Sequence, residues 1–273
     1  MKKIGIILSA FVLTVCSCSK ELPAGLLTTD TGNGTVSFTA TFERSGDPDT
    51  RLGINTSSGI LTWTDGDAIA VQMTDDTFVS FTYSPSTQKF TAFLGGKAVK
   101  DGGVAYYPAS IAIGGTPGSV NLPASYAARV SEGVATVCPP MTATVNLGAS
   151  SLSLTHLGGI LSVKASYVPA DATKLVLTAT GKDVTGNFTV SGGAITAGSA
   201  GSSNTVTLTF SAGDFGTSAT EFFIPVPVTT FTGGFSFAFK NASDETLFTH
   251  STKKTGISVA RANIKRMAQV TVP

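Results

Sequence analysis

The chain has little charge, few cysteines, two histidines and a single tryptophan, and each shortage narrows what it can do. Only 13% of its 273 residues are charged, 18 basic against 17 acidic, which leaves a net charge of +1. A surface that follows a phosphate backbone needs clustered Lys and Arg, so nucleic acid is not an expected partner. The three cysteines are Cys16, Cys18 and Cys138. Two fall in the leader-like first twenty residues, so Cys138 stands alone and no disulfide framework is available; an exported fold of this size must rest on its apolar core. Neither His156 nor His250 has Cys or His partners at zinc-ligand spacing. Asp65-Gly66-Asp67 and Asp75-Asp76 lack the spaced ligands and closing Glu of a calcium loop. No metal or cofactor is expected. No phosphate-binding loop, nucleophile elbow or dinucleotide fingerprint occurs, so no catalytic residue is assigned and the chain does not read as an enzyme. Paired carboxylates for glycoside hydrolysis depend on the fold rather than on spacing, and that possibility stays open.

What is present begins with a leader. Met1-Lys2-Lys3 is positive, and Ile4 to Val15 is an apolar run of signal-peptide length, too short to span a bilayer. Val15-Cys16-Ser17-Cys18 resembles the bacterial lipobox, in which a peptidase cuts before a cysteine whose sulfur carries diacylglycerol. The resemblance makes 1–17 a lipoprotein signal peptide and Cys18 a lipid anchor to a membrane. An ordinary secretory signal is the plainer alternative. Each buried methylene of an acyl chain contributes about 0.8 kcal/mol, so several chains on Cys18 would hold the protein on a bilayer. Residues 18–34 are polar and aperiodic and read as a tether.

Gly, Ser and Thr are abundant, and Phe (17 in the chain) greatly outnumbers Trp, a balance that favours strands and tight turns over helices. In Thr35–Phe42, Val36, Phe38, Ala40 and Phe42 face one way, and Ser37, Thr39 and Thr41 the other. A loop with Arg44 and Arg51 follows. Ile60–Trp63 and Ala68–Met73 then flank a Gly-centred turn, which predicts a hairpin. Trp63 closes an alternating run, a place that suits core packing better than a sugar-stacking platform. Short strands continue at Phe78–Tyr83, Lys89–Phe93, Val104–Tyr107 and Val134–Val137. After Pro139-Pro140, which cannot serve inside a ladder, alternation resumes and runs to Val270–Val272. The pattern predicts an all-β chain with two antiparallel β-sandwich domains, 35–146 and 147–273. His156 shares strand parity with Leu152 and Leu154 and reads as a hydrogen-bonded core histidine. Cys138 reads as a small buried hydrophobe. Ala260-Arg261-Ala262-Asn263 fits either a loop or a short helical stretch.

From about Val36 to Val272 the chain resembles the fimbrillin family of surface lipoproteins. The landmarks are the Phe-rich first strand, Thr50-Arg51, Trp63-Thr64-Asp65-Gly66-Asp67-Ala68-Ile69-Ala70-Val71 and Tyr106-Tyr107-Pro108. They continue with Pro140-Met141, His156-Leu157-Gly158-Gly159-Ile160-Leu161-Ser162-Val163, Ile224-Pro225-Val226-Pro227 and Ala260-Arg261-Ala262-Asn263. The resemblance implies transthyretin-like sandwiches, a lipidated precursor at the cell outer membrane, and incorporation into a fimbrium that contributes to adhesion. It also implies that an arginine-specific protease removes the first strand, here Val36, Phe38, Ala40 and Phe42, and that another fimbrial subunit donates a replacement. Arg51 matches the family's Thr-Arg position, and Arg44 lies closer to the strand. A host or bacterial surface ligand is a further implied partner. The alternative of another class is a monomeric surface lipoprotein that keeps its first strand and binds glycan or another ligand.

Overall fold

Alternating Thr, Val, Phe and Ala produce short strands throughout, and no α-helix forms among the described residues. The computed structural model describes residues 25, 27–30, 34–43, 63–112, 116–131, 133–198, 200–252 and 254–273. The leader with Cys18, the arginines Arg44 and Arg51, and the Ile60–Thr62 arm of the expected hairpin lie outside the described residues. No helix among the described residues is long and apolar enough to cross a membrane.

One sheet has nine strands, in the order Thr28–Asp30, Thr35–Phe38, Lys89–Phe93, Phe78–Ser84, Ala68–Gln72, Val104–Tyr107, Met141–Thr144, Leu152–His156 and Ala40–Phe42. Its second and last members are consecutive in the chain, separated only by Thr39. The stretch Thr35–Phe42 therefore runs from one strand inside the first edge of the sheet to its opposite edge, as strands do when they turn a corner between packed layers. Val36, Phe38, Ile69, Phe81, Phe90 and Met141 pack in the core that this sheet encloses.

A second core lies between a six-stranded and a five-stranded sheet. Leu161 and Val163 of Gly159–Ser166, with Phe222 and Ile224 of Thr220–Val226, face Leu175 and Leu177 of Lys174–Ala179 and Phe237 and Phe239 of Phe235–Lys240. Two sheets packed over one apolar layer form a β-sandwich. A smaller cluster of Tyr106, Ile111, Val120, Leu157, Phe188 and Ile195 draws on strands of both regions.

The all-β expectation holds, and the strand pairing adds four findings. The tether expected over 18–34 ends in a strand, because Thr28–Asp30 pairs antiparallel with Thr35–Ser37 across a turn with Gly34 at φ 71°. The first strand is not continuous: Thr35–Phe38 pairs antiparallel with Lys89–Phe93, and Ala40–Phe42 pairs parallel with Leu152–Leu154. The cut at 146/147 is crossed in both directions. Ser119–Leu122, Ser125–Ala127 and Val134–Thr136 pair with Gly186–Ser191, Thr205–Thr209 and Thr220–Val226, while Leu152–His156 belongs to the nine-stranded sheet. Finally, the sheets are mixed rather than purely antiparallel. The parallel pairs join strands distant in sequence, where no hairpin dictates direction.

Candidate functional site

The four inward residues of the first strand fill a groove walled by aromatic rings. Val36 and Phe38 are 7% and 2% exposed; Ala40 and Phe42 are half-buried against the same core. The Phe38 ring centroid lies 4.9 Å from that of Phe81 and 5.7 Å from that of Phe90. Phe42 lies 4.0 Å from Trp63. Trp63 in turn meets Phe90 and Tyr107 edge-on, at 4.8 and 5.2 Å, and its Nε1–H donates to the Ala40 carbonyl at 3.1 Å. Tryptophan thus contributes a large apolar face to the groove and spends its one donor on the strand backbone.

A turn holds Trp63 in place. Asp67 accepts from the Thr64 N–H and hydroxyl at 2.7 and 3.0 Å through one oxygen. Its other oxygen accepts from the Tyr107 hydroxyl at 3.0 Å and the Arg129 guanidinium at 3.1 Å. The Trp63–Asp67 landmark is therefore a turn clamp, and its carboxylate is committed to structure. Cys138 packs half-buried against this core, and burial pushes its thiol up despite the nearby Arg129 charge. A thiol held protonated behaves as a small hydrophobe.

The far end of the strand is fastened differently. Glu43 N–H donates to the Leu154 carbonyl, and the Leu152 N–H donates to the Thr39 carbonyl, at 2.6 and 2.8 Å. The Glu43 carboxylate accepts from Arg261 Nη1 and Nη2 at 2.7 and 2.9 Å and from the His156 backbone N–H at 3.1 Å. Burial raises the Glu43 pKa, but the Arg261 hydrogen bonds, the His156 N–H and the Arg261 charge outweigh it and leave the carboxyl lowered. Arg261 reaches this point because its turn rests on a Gly-Gly step. Ala262 N–H donates to the Gly158 carbonyl at 3.0 Å, and Ile160 N–H to the Asn263 carbonyl at 2.9 Å. A Cβ at Gly159 would collide with the Ala260 carbonyl, and one at Gly158 with the Val226 carbonyl. The His156–Val163 and Ala260–Asn263 landmarks therefore meet at the end of the first strand.

His156 is 1% exposed, and its Nδ1 has no hydrogen-bond partner. It is a core histidine as expected, but an unsatisfied one. Burial chiefly, with Arg261 assisting against Glu43, brings its pKa down to about 4, so it is neutral at physiological pH. Sequence reasoning missed Glu43 and Arg261 as partners, since 218 residues separate them. An apolar depression lined by Leu122, Tyr126, Pro139, Pro140, Ile195 and Pro225 carries no carboxylate pair. No group of three or more metal-ligating side chains occurs among the described residues.

No family model matches the chain, and no curated protein does. Solved structures do match, and three bear the same name, "putative cell adhesion protein". One, from Bacteroides ovatus, is 15% identical with a TM-score of 0.50, over 85% of this chain and 90% of its own. Another, from Bacteroides thetaiotaomicron, is 12% identical with a TM-score of 0.43, over 87% and 93%. A third, from Bacteroides fragilis, is 11% identical with a TM-score of 0.39, over 86% and 89%. At these identities the first likeness concerns the fold alone.

Proposed function

We propose that this protein is a fimbrillin-like surface lipoprotein, a structural or accessory subunit of fimbriae that contributes to adhesion. In this proposal Cys18 carries the lipid that holds the precursor on the outer membrane. An arginine-specific protease cuts after Arg51 or Arg44 and releases the first strand, and a strand from another subunit takes its place.

The observation that carries the proposal is the double role of Thr35–Phe42. Because it pairs near one edge of the nine-stranded sheet and forms the other, its loss would unpair Phe90–Phe93 on one side and Leu152–Leu154 on the other. It would also open the groove walled by Phe81, Phe90 and Trp63. Fully burying a large apolar side chain contributes about 1.5–3 kcal/mol, so Val36 and Phe38 alone contribute several kcal/mol that an empty groove forfeits. Unpaired edges beside an apolar trench are the template that strand addition uses. The adhesion role draws support from the name borne by the Bacteroides ovatus protein, whose fold is similar.

The test is assembly from purified precursor. Treated with an arginine-specific protease, the wild-type protein should form a ladder of species that survives SDS. An Arg44→Lys/Arg51→Lys variant should stay monomeric. A ladder from the double variant, or none from the cleaved wild type, would refute strand replacement.

A further inference from the structure

The end of the groove is a ready-made receptor for one carboxylate. Three N–H donors converge on Glu43, two from the Arg261 fork at 2.7 and 2.9 Å and one from the His156 backbone at 3.1 Å. None belongs to the first strand. His156 ends the Leu152–His156 strand, and Arg261 sits in a turn fixed on Gly158 and Ile160 by backbone hydrogen bonds. None of the donors leaves with the first strand, and the part-buried His156 N–H then loses the acceptor that Glu43 provides.

We propose that Arg261 and the His156 N–H form a carboxylate-recognition site that selects which strand occupies the groove. The proposal rests on the strand replacement proposed above and adds a requirement to it. An occupant strand is held when an Asp or Glu directly follows its last groove-facing side chain, as Glu43 follows Phe42. Arg261 offers a planar fork that two carboxylate oxygens satisfy together, which a single amide oxygen does not. The Arg261 side chain is 38% exposed, so water serves its guanidinium when the acid is missing. The larger loss falls on the part-buried His156 N–H, because an unsatisfied buried donor costs more than the net worth of an ordinary hydrogen bond. Apolar side chains in the groove supply the adhesion of the strand, and the carboxylate supplies register and choice.

Two measurements test it. In the intact chain, hydrogen exchange at the Glu43 amide, which donates to the Leu154 carbonyl, should quicken about tenfold or more in Glu43→Gln and in Arg261→Met, as expected for loss of a charge-assisted pair. The double variant should be no faster than either single one. Unchanged exchange overturns the proposal. Next, the full chain is cut at one site placed within residues 44–62 and offered a labelled peptide of residues 34–43 with an amidated C-terminus, so that the side chain alone provides the carboxylate. The peptide ending in Glu43 should be taken up at least tenfold better than its Glu43→Gln version, and Arg261→Met should erase the difference. Equal uptake of both peptides overturns carboxylate selection while leaving strand replacement standing. Uptake of neither overturns strand replacement and this proposal with it.

Discussion

Replacing Phe38 by Ala asks how much the first strand owes to its groove. The side chain is 2% exposed, and Phe81 and Phe90, both fully buried, hold its ring. Fully burying a Phe side chain contributes about 1.5–3 kcal/mol, and the cavity left by its truncation adds to that loss. Measured Phe→Ala losses of about 3–5 kcal/mol agree. The upper half of that range is expected, because the walls belong to paired strands that cannot collapse into the cavity. Trp63 is the only tryptophan and touches both Ala40 and Phe42, so its fluorescence reports whether the strand is docked. Urea titrations followed at Trp63 should therefore show Phe38→Ala destabilised by about 4 kcal/mol. Thr41→Ala, which alters an exposed position on the same strand, should change stability by less than about 0.5 kcal/mol. A Phe38→Ala loss below about 1 kcal/mol, or an equal loss from Thr41→Ala, would refute the claim that inward side chains hold the strand.

Acid should weaken the fold through His156. Its pKa stands near 4 in the folded protein and near 6.5 when unfolded, so between these values the unfolded chain binds more protons. Stability should fall as pH drops from about 6.5 to about 4, by at most about 3 kcal/mol, and denaturant midpoints of His156→Gln should lose that share of the slope. Gly159→Ala should cost about 2 kcal/mol or more by thermal unfolding, because its Cβ meets the Ala260 carbonyl and the Val259 side chain and pushes the Arg261 turn off its seat. Gly181→Ala, with open space around it but φ at 67°, should cost less, and a reversed order would contradict the packing account of the Gly158-Gly159 step.

Much of this was legible one residue at a time. The alternation in Val36–Phe42 names the residues that face the core, and the apolar company of Trp63 follows from its place at the end of a run. The break at Thr39 was not legible, because both halves of the strand keep the same alternation. What separates them is the partner, Phe90 for one half and Leu152 for the other, and local pattern carries no record of distant pairing. Glu43 and Arg261 look like ordinary loop charges until a fold brings them together across the chain. The same holds for the strands between Ser119 and Thr136. Their spacing reads as more of the first domain, yet their hydrogen bonds go to Gly186–Ser191, Thr205–Thr209 and Thr220–Val226.

The most direct test of strand replacement is the N-terminus and intact mass of the protein recovered from the outside of intact cells. Strand replacement predicts a chain that starts at Leu52 or Ser45, found in a high-mass ladder that resists SDS. An acylated Cys18 on a monomer that still carries Val36 to Phe42 would contradict it.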